Sequence, residues 1–263
     1  MADDDGVVVT SDGRRIRPVK SVTRAIEVLD VLGDGESMGL TELAAALGCS
    51  KTAAYNLVTT LELRGLVRKL TDHRYALGWK LLELGEVVRW SSTFGDAARA
   101  EVVALSESTG ETAILGVLDR DTTVCVELVE SSRSVPLAVA RGTREPADVG
   151  AVGQVLIAFS PAARRRRLIE HFDPEGGGAL ALHIERVRAS GAAVVEHGGE
   201  TGVAAPVFDY SGDAVAAVAV IGPDSRLPAD RLEQVVAAVT AAAAVISSGL
   251  GAGDRRRAAS SAR

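Results

Sequence analysis

The sequence predicts an α+β protein in two parts: a small helical unit closed by a β-hairpin, then a larger mixed domain around a mostly antiparallel sheet. Three observations predict it. The run TELAAALGCSKTAAYNLVTTL places two amphipathic helices around a glycine turn at Gly48. From Thr112 onward the apolar period shortens to that of strands, with helices interspersed irregularly. The charge is also divided. Residues 14–80 hold 11 Lys/Arg against 7 Asp/Glu, a balance of +4, so the rest of a chain with net charge −6 carries −10. A basic front on an acidic body suits a nucleic-acid reader joined to a domain that stays off the nucleic acid.

Taken in order, residues 1–18 read as a mobile arm, with Asp3–Asp5 followed by the basic Arg14, Arg15 and Arg17. Ser21 is placed to cap a helix over residues 22–32 whose apolar face is Ile26, Val28 and Leu29. Thr41 is placed to cap a short helix through Leu47, and Gly48 supplies the left-handed residue that ends it. Ser50 caps the next helix, residues 51–64, held by Leu57, Val58 and Leu61 and ended by Gly65. Strand-like runs at 66–70 and 74–77 flank the turn Thr71-Asp72-His73. Helix, helix, tight turn, helix and hairpin is the order of a winged helix-turn-helix, spanning residues 19–78. Residues 79–93 read as a linker helix with Leu81, Leu82, Leu84 and Val88 on an apolar face, broken at Ser91-Ser92-Thr93.

The second domain covers residues 94–248. It opens with a helix over 94–108, followed by strands at 113–118, 123–128 and 135–140. Helices at 153–159, 161–170 and 184–190 are expected next, then strands at 192–195, 202–208 and 214–221 and a long helix over 228–247. The end, GAGDRRRAASSAR (residues 249–263), has the composition of a disordered tail.

The second helix of the tight-turn pair offers Ser50, Lys51, Thr52, Tyr55 and Asn56 on its first turns, where such helices meet base edges in the major groove. Asn pairs bidentately with adenine, while Lys and hydroxyls suit phosphate or guanine. Arg68, Lys69 and Arg74 of the hairpin, with Arg14, Arg15 and Arg17, are the candidates for salt-dependent phosphate contacts. A helical hairpin that packs on another protein would leave that wing and basic arm without a purpose.

The chain resembles the IclR family of bacterial transcription regulators. The resemblance runs through VKSVTRAIEVLDVL (19–32), GLTELAAALGCSKTAAYNLVTTLELRGLV (39–67), RYALGWKLLELG (74–85), STGETAILGVL (108–118), GVAAPVFDYSG (202–212) and IGP (221–223). It implies a winged reader, a linker helix that pairs protomers, a GAF-like α/β effector domain, and dimers or tetramers on palindromic operators. Departures from the family pattern bear on specificity. Asn56 stands where the recognition helix usually has Arg, and Gly153-Gln154 where the family has Gly-Lys. Gly202 replaces a Cys, Ala219 and Ile221 replace Ser, and Val195 replaces an acidic residue. The expected effector pocket, with Gly142, Gly153, Gln154, Val195, Gly202, Val203, Ala204, Ala219 and Ile221 in its walls, is therefore apolar. Arg141, Arg144 and the N–H groups opening the Gly153 helix are its candidate anion handles.

The expected function is a DNA-binding transcriptional regulator, a repressor, whose hold on double-stranded operator DNA responds to a small organic acid or an aromatic or apolar metabolite. The alternative is an architectural DNA-binding oligomer with a ligand-free second domain. Other classes find no support in the sequence. Cys49 and Cys125 make no disulfide framework, and His73, His171, His183 and His197 lack the spacing of a metal site. No cofactor is expected, and no nucleophile–base pairing suggests an enzyme. Gly198-Gly199 lacks the GK[ST] run of a phosphate loop, and Arg164–Arg167 reads as a solvated or salt-bridged face. The start MADDDGVVVT shows no secretion signal, and runs such as 235–246 fall short of the ~20 residues of a membrane span, so a cytoplasmic location is expected.

Overall fold

The computed structural model describes residues 8–9, 14–35, 37–91, 94–131, 133 and 139–252. Most of the tail, residues 135–138 of the strand expected at 135–140 and residues 92–93 of the linker break expected at 91–93 lie outside the described residues, as does much of the arm; residues 139–140 are not in a strand, and Ser91 still belongs to a helix. The chain divides into two compact units, residues 1–92 and 93–263.

In the first unit, Val8–Val9 (β1) pairs antiparallel with Arg15–Ile16 (β2). The first helix is Lys20–Gly33 (α1), with Val19 at its N-cap position, so the expected cap Ser21 already lies inside the first turn. Its buried stripe is Val28 and Leu32 at i, i+4. Ile26, two residues or ~200° around the helix from Val28, is 52% exposed and leaves the expected apolar face. The next helix, Leu40–Ala46 (α2), starts one residue before the expected cap Thr41. Its cap position is Gly39, whose N–H donates to Glu42 Oε2 at 2.8 Å. Gly48 turns the chain at φ +56°. Ser50 then caps Lys51–Leu63 (α3) by accepting the Ala53 N–H at 3.2 Å. Gly65, at φ +72°, leads to the hairpin Val67–Lys69 (β3) and Tyr75–Leu77 (β4), paired Val67 with Leu77 and Lys69 with Tyr75. His73 takes the positive φ that closes the hairpin turn. Val28, Leu32, Leu43, Leu47, Val58, Leu61, Val67 and Tyr75 form one core. Burying each aliphatic member contributes ~1.5–3 kcal/mol. Lys80–Ser91 (α4) follows.

The second unit opens with Gly95–Thr109 (α5). Next come the strands Thr112–Asp119 (β5), Thr122–Val129 (β6) and Arg144–Pro146 (β7), the last of which the sequence pattern missed. Ala151–Phe159 (α6), Ala162–Phe172 (α7) and Ala179–Ser190 (α8) come after them, α8 starting five residues earlier than the pattern suggests. Ala193–His197 (β8), Glu200–Phe208 (β9), Ala214–Pro223 (β10) and Ala229–Gly249 (α9) complete the unit. The six strands form one antiparallel sheet in the order β7-β6-β5-β10-β9-β8. Strand alternation divides its residues between two faces. Leu115, Val203, Ala205, Val218 and Val220 face one core with α5 and α9, while Ile114, Ala204, Ala217 and Ala219 face the other, built on α6, α7 and α8. α9 is long and apolar enough to cross a bilayer, with mean hydropathy 1.5 in its most apolar stretch. Its Val235, Val239, Ala242, Ala243 and Ile246 instead pack into the core against the sheet.

A charged knot closes the α5 side. Glu111 is fully buried and accepts from Arg226 (Nη2–Oε2 2.6 Å), Arg231 (3.2 Å) and Arg133 (3.4 Å). Gly222 lies against it, for a Cβ there would sit 2.7 Å from Glu111 Oε2.

Candidate functional site

Two places in the molecule gather the candidate side chains. On α3, Ala54, Val58 and Leu61 are buried, which turns the opposite stripe to solvent. Lys51, Thr52, Tyr55 and Asn56 occupy that stripe at i, i+4 spacing and are all exposed. Among the described residues, the Asn56 side chain makes no hydrogen bond, so both its donor and its acceptor remain available. Ser50 is committed, since its hydroxyl caps the helix.

The wing residues divide in the same way. Arg68 stacks over the Trp79 ring, 5.1 Å from its centre, and donates to the Leu77 carbonyl at 3.2 Å, yet it stays exposed. Lys69 lies over the Tyr75 ring at 5.8 Å and is likewise exposed. Arg74 departs from the expectation of a phosphate contact. Its Nε donates to the Ser37 carbonyl at 2.9 Å, and its guanidinium pairs with Glu42 at 3.0 Å, so it fastens the wing to the segment before α2. The Gly39 N–H and the Arg74 charge hold the Glu42 carboxyl below its ordinary range. Arg14, Arg15 and Arg17 are exposed at the start of the unit.

The second place is a cavity of about 340 Å³ on the α6 side of the sheet. Of the expected walls, Val195, Gly202, Ala219 and Ile221 line it. The others do not, for separate reasons. Val203 points to the opposite face of the sheet by strand alternation, and Ala204 is buried beneath the α6–α8 core. Gly153 is the point where α6 presses on the chain, since a Cβ there would collide with the Ala147 carbonyl. Gln154 is spent inside, donating to the Asp148 carbonyl at 2.9 Å and meeting His183 Nε2 at 2.6 Å. Gly142 supplies the turn before β7 at φ +86°, donating its N–H to the Cys125 carbonyl at 2.7 Å.

The lining is less apolar than the motif substitutions suggest. Thr123, Thr143, Arg144, Glu145, His197 and Glu200 stand among Ile114, Val124, Val152 and other apolar residues. Burial pushes the Glu145 carboxyl up from its ordinary range, and the nearby charges of Glu200 and Asp148 add to that while His197 opposes it. Glu145 remains exposed overall even though protein crowds its carboxyl. Cys125 forms part of the wall, and burial raises its thiol to about 11. The two arginines among the expected handles are occupied: Arg141 Nε donates to Glu127 at 2.8 Å, and Arg144 pairs with Asp119.

Residues 94–248 match the bacterial transcriptional regulator IclR C-terminal domain, and residues 21–71 match the IclR helix-turn-helix domain. The chain belongs to the IclR family of bacterial transcriptional regulators. It is 34% identical over 255 residues to the glycerol operon regulatory protein of Streptomyces griseus, covering 90% of this chain and 98% of that one. The Thermotoga maritima IclR crystal structure superposes with a TM-score of 0.74 at 26% identity, covering 88% and 99% of the two chains. An IclR homologue from Microbacterium hydrocarbonoxydans, solved in complex with 4-hydroxybenzoate, shares the fold with a TM-score of 0.75 at 21% identity, covering 88% and 98%.

Sequence reasoning missed the polar members of this IclR-family cavity. Glu145 lies on β7 and His197 on β8, the two edge strands of the sheet, and they meet only because the sheet curls around α6. Glu200 offered a local signal, since the tight Gly198-Gly199 turn pairs it with His197 across the hairpin. The basic run of α7 is spent within the protein: Arg164 donates to the Leu118 and Arg120 carbonyls, and Arg165 and Arg166 pair with Glu185 and Glu170.

Proposed function

We propose that this regulator is a repressor that reads a two-fold operator through the exposed stripe of α3, and that a small molecule in the cavity of the second domain modulates its grip. The observation that carries the reading is the pairing of a locked inner face (Ala54, Val58, Leu61) with an outer face whose Lys51, Thr52, Tyr55 and Asn56 are exposed. Such a helix is positioned to set base-reading groups in a major groove, and Arg68, Lys69 and the arm residues Arg14, Arg15 and Arg17 supply the phosphate contacts. One winged helix covers a single half-site, so a two-fold operator calls for at least a homodimer, with a tetramer as a higher assembly. The exposed Leu82, Leu84 and Val87 of α4 supply the apolar surface for pairing. The cavity favours an effector-binding role for the second domain over a purely architectural one. Footprinting on the DNA flanking the gene tests the reading. Two protected half-sites centred about one helical turn apart, or a multiple of it, are expected. Protection with no sequence preference would refute it.

A further inference from the structure

We propose that the cavity takes a cationic ligand, a protonated amine on a compact apolar body, with Glu145 and Glu200 receiving the ammonium head. The proposal rests on the reading of the cavity as an effector site and names the chemical class it selects. The charges around the cavity decide the matter. Arg144, the one guanidinium in the wall among the described residues, is paired with Asp119 and donates to Thr122 Oγ1 at 3.3 Å. Arg141 nearby is given to Glu127. The Thr123 hydroxyl donates to the Glu145 carbonyl at 3.2 Å, and the Thr143 hydroxyl accepts the Ala140 N–H at 2.9 Å.

After those commitments the wall retains Glu145, His197 and Glu200. Among the described residues, neither the Glu145 nor the Glu200 side chain makes a hydrogen bond or an ion pair. Asp148 contributes a third negative charge beside Glu145. A carboxylate ligand would therefore meet two wall carboxylates with Asp148 behind them, and His197 and the already paired Arg144 to set against them. The Glu145 carboxyl fills the space beside the N-terminus of α6 where an anion would otherwise sit, without accepting a hydrogen bond from it. The Glu145 carboxyl lies against Gly150, where a Cβ would collide with Oε2. An ammonium group would instead lift the repulsion among these carboxylates and satisfy oxygens that the protein leaves open. The remaining walls, Ile114, Val124, Val139, Val152, Val195 and Ile221, are aliphatic, and the volume is at the small end of ligand pockets.

The test is calorimetry of the full chain at neutral pH with three probes that differ only in their head group: benzylamine, benzyl alcohol and benzoate. Benzylamine is expected to bind at least about ten-fold tighter than benzoate. Glu145→Gln should bring the two close to parity, and Val195→Trp, which fills the cavity from an edge strand, should abolish binding while leaving the circular dichroism spectrum intact. Equal or tighter binding of benzoate overturns the charge class and leaves the effector reading standing, whereas a preference for benzylamine that Glu145→Gln does not alter overturns the placing of the ammonium at Glu145. No binding of any probe to the wild-type chain removes the effector reading itself, and this proposal with it.

Discussion

Replacing Glu111 by Gln keeps the shape of the buried knot and deletes its one negative charge, leaving the guanidiniums of Arg226, Arg231 and Arg133 facing one another. Removing one partner of a buried ion pair costs about 3–5 kcal/mol when the others stay desolvated. Here the Arg226 and Arg231 side chains retain 19% and 27% exposure and Arg133 51%, so water recovers part of the loss. The expected cost is therefore about 2–3 kcal/mol, a fall of roughly 5–10 °C in Tm for a domain of this size. Thermal unfolding followed by circular dichroism reads it. Both tryptophans, Trp79 and Trp90, belong to the first unit, so tryptophan fluorescence should move much less than the dichroism signal. Arg133→Ala, at the exposed end, should cost under ~1 kcal/mol. A Glu111→Gln loss below ~0.5 kcal/mol, or equal shifts in both signals, would refute the assignment of the knot to the stability of the second unit.

Three other outcomes follow from the site chemistry. The raised Glu145 carboxyl means that the folded state prefers the protonated form. That contribution to stability is fully present below its ordinary 4.5 and is lost as pH rises through the higher folded value. Glu145→Gln should therefore gain stability on the wild type as pH goes from acid to neutral in urea titrations, and a constant gap would contradict the cause. With Cys49 replaced by Ser, Cys125 should react with thiol reagents roughly a hundred-fold more slowly than an ordinary cysteine, because its thiol at about 11 sits two units above its 9.0 reference. Rapid labelling of the native chain would count against its burial. Leu82→Glu places a charge on the exposed apolar face of α4 and should shift sedimentation toward monomer, whereas an unchanged assembly would show that pairing lies elsewhere.

The parts of this molecule that were legible in the sequence are those whose cause is local. Gly48 and the Ser50 cap mark the two ends of the tight turn within three residues of each other, and the structure uses both as read. Ser21 and Thr41 misled because a capping residue must keep an extended backbone, and the helices had already begun at Lys20 and Leu40. β7 escaped because it is three residues long, ends in Pro146 and is defined only by its pairing with β6. The family signatures at 108–118 and 221–223 proved to mark the Glu111 knot, where Gly222 makes room for the carboxylate, as well as the strands beside the cavity. The cavity itself was half legible. Its aliphatic walls on β8, β9 and β10 follow from alternation, but Glu145 reaches them from the far edge strand β7, and the pairing of Arg141 and Arg144 is a matter of three-dimensional neighbours.

The central claim, that α3 reads bases through Asn56, is tested most directly by fluorescence anisotropy of the full chain on its footprinted site and on a set of single-base variants of that site. Asn56→Ala should lose about 1–3 kcal/mol of affinity and flatten the preference at one position in each half-site, while Arg68→Ala weakens every sequence alike and lowers the salt dependence. An Asn56→Ala chain that ranks all the variants as the wild type does would contradict the account.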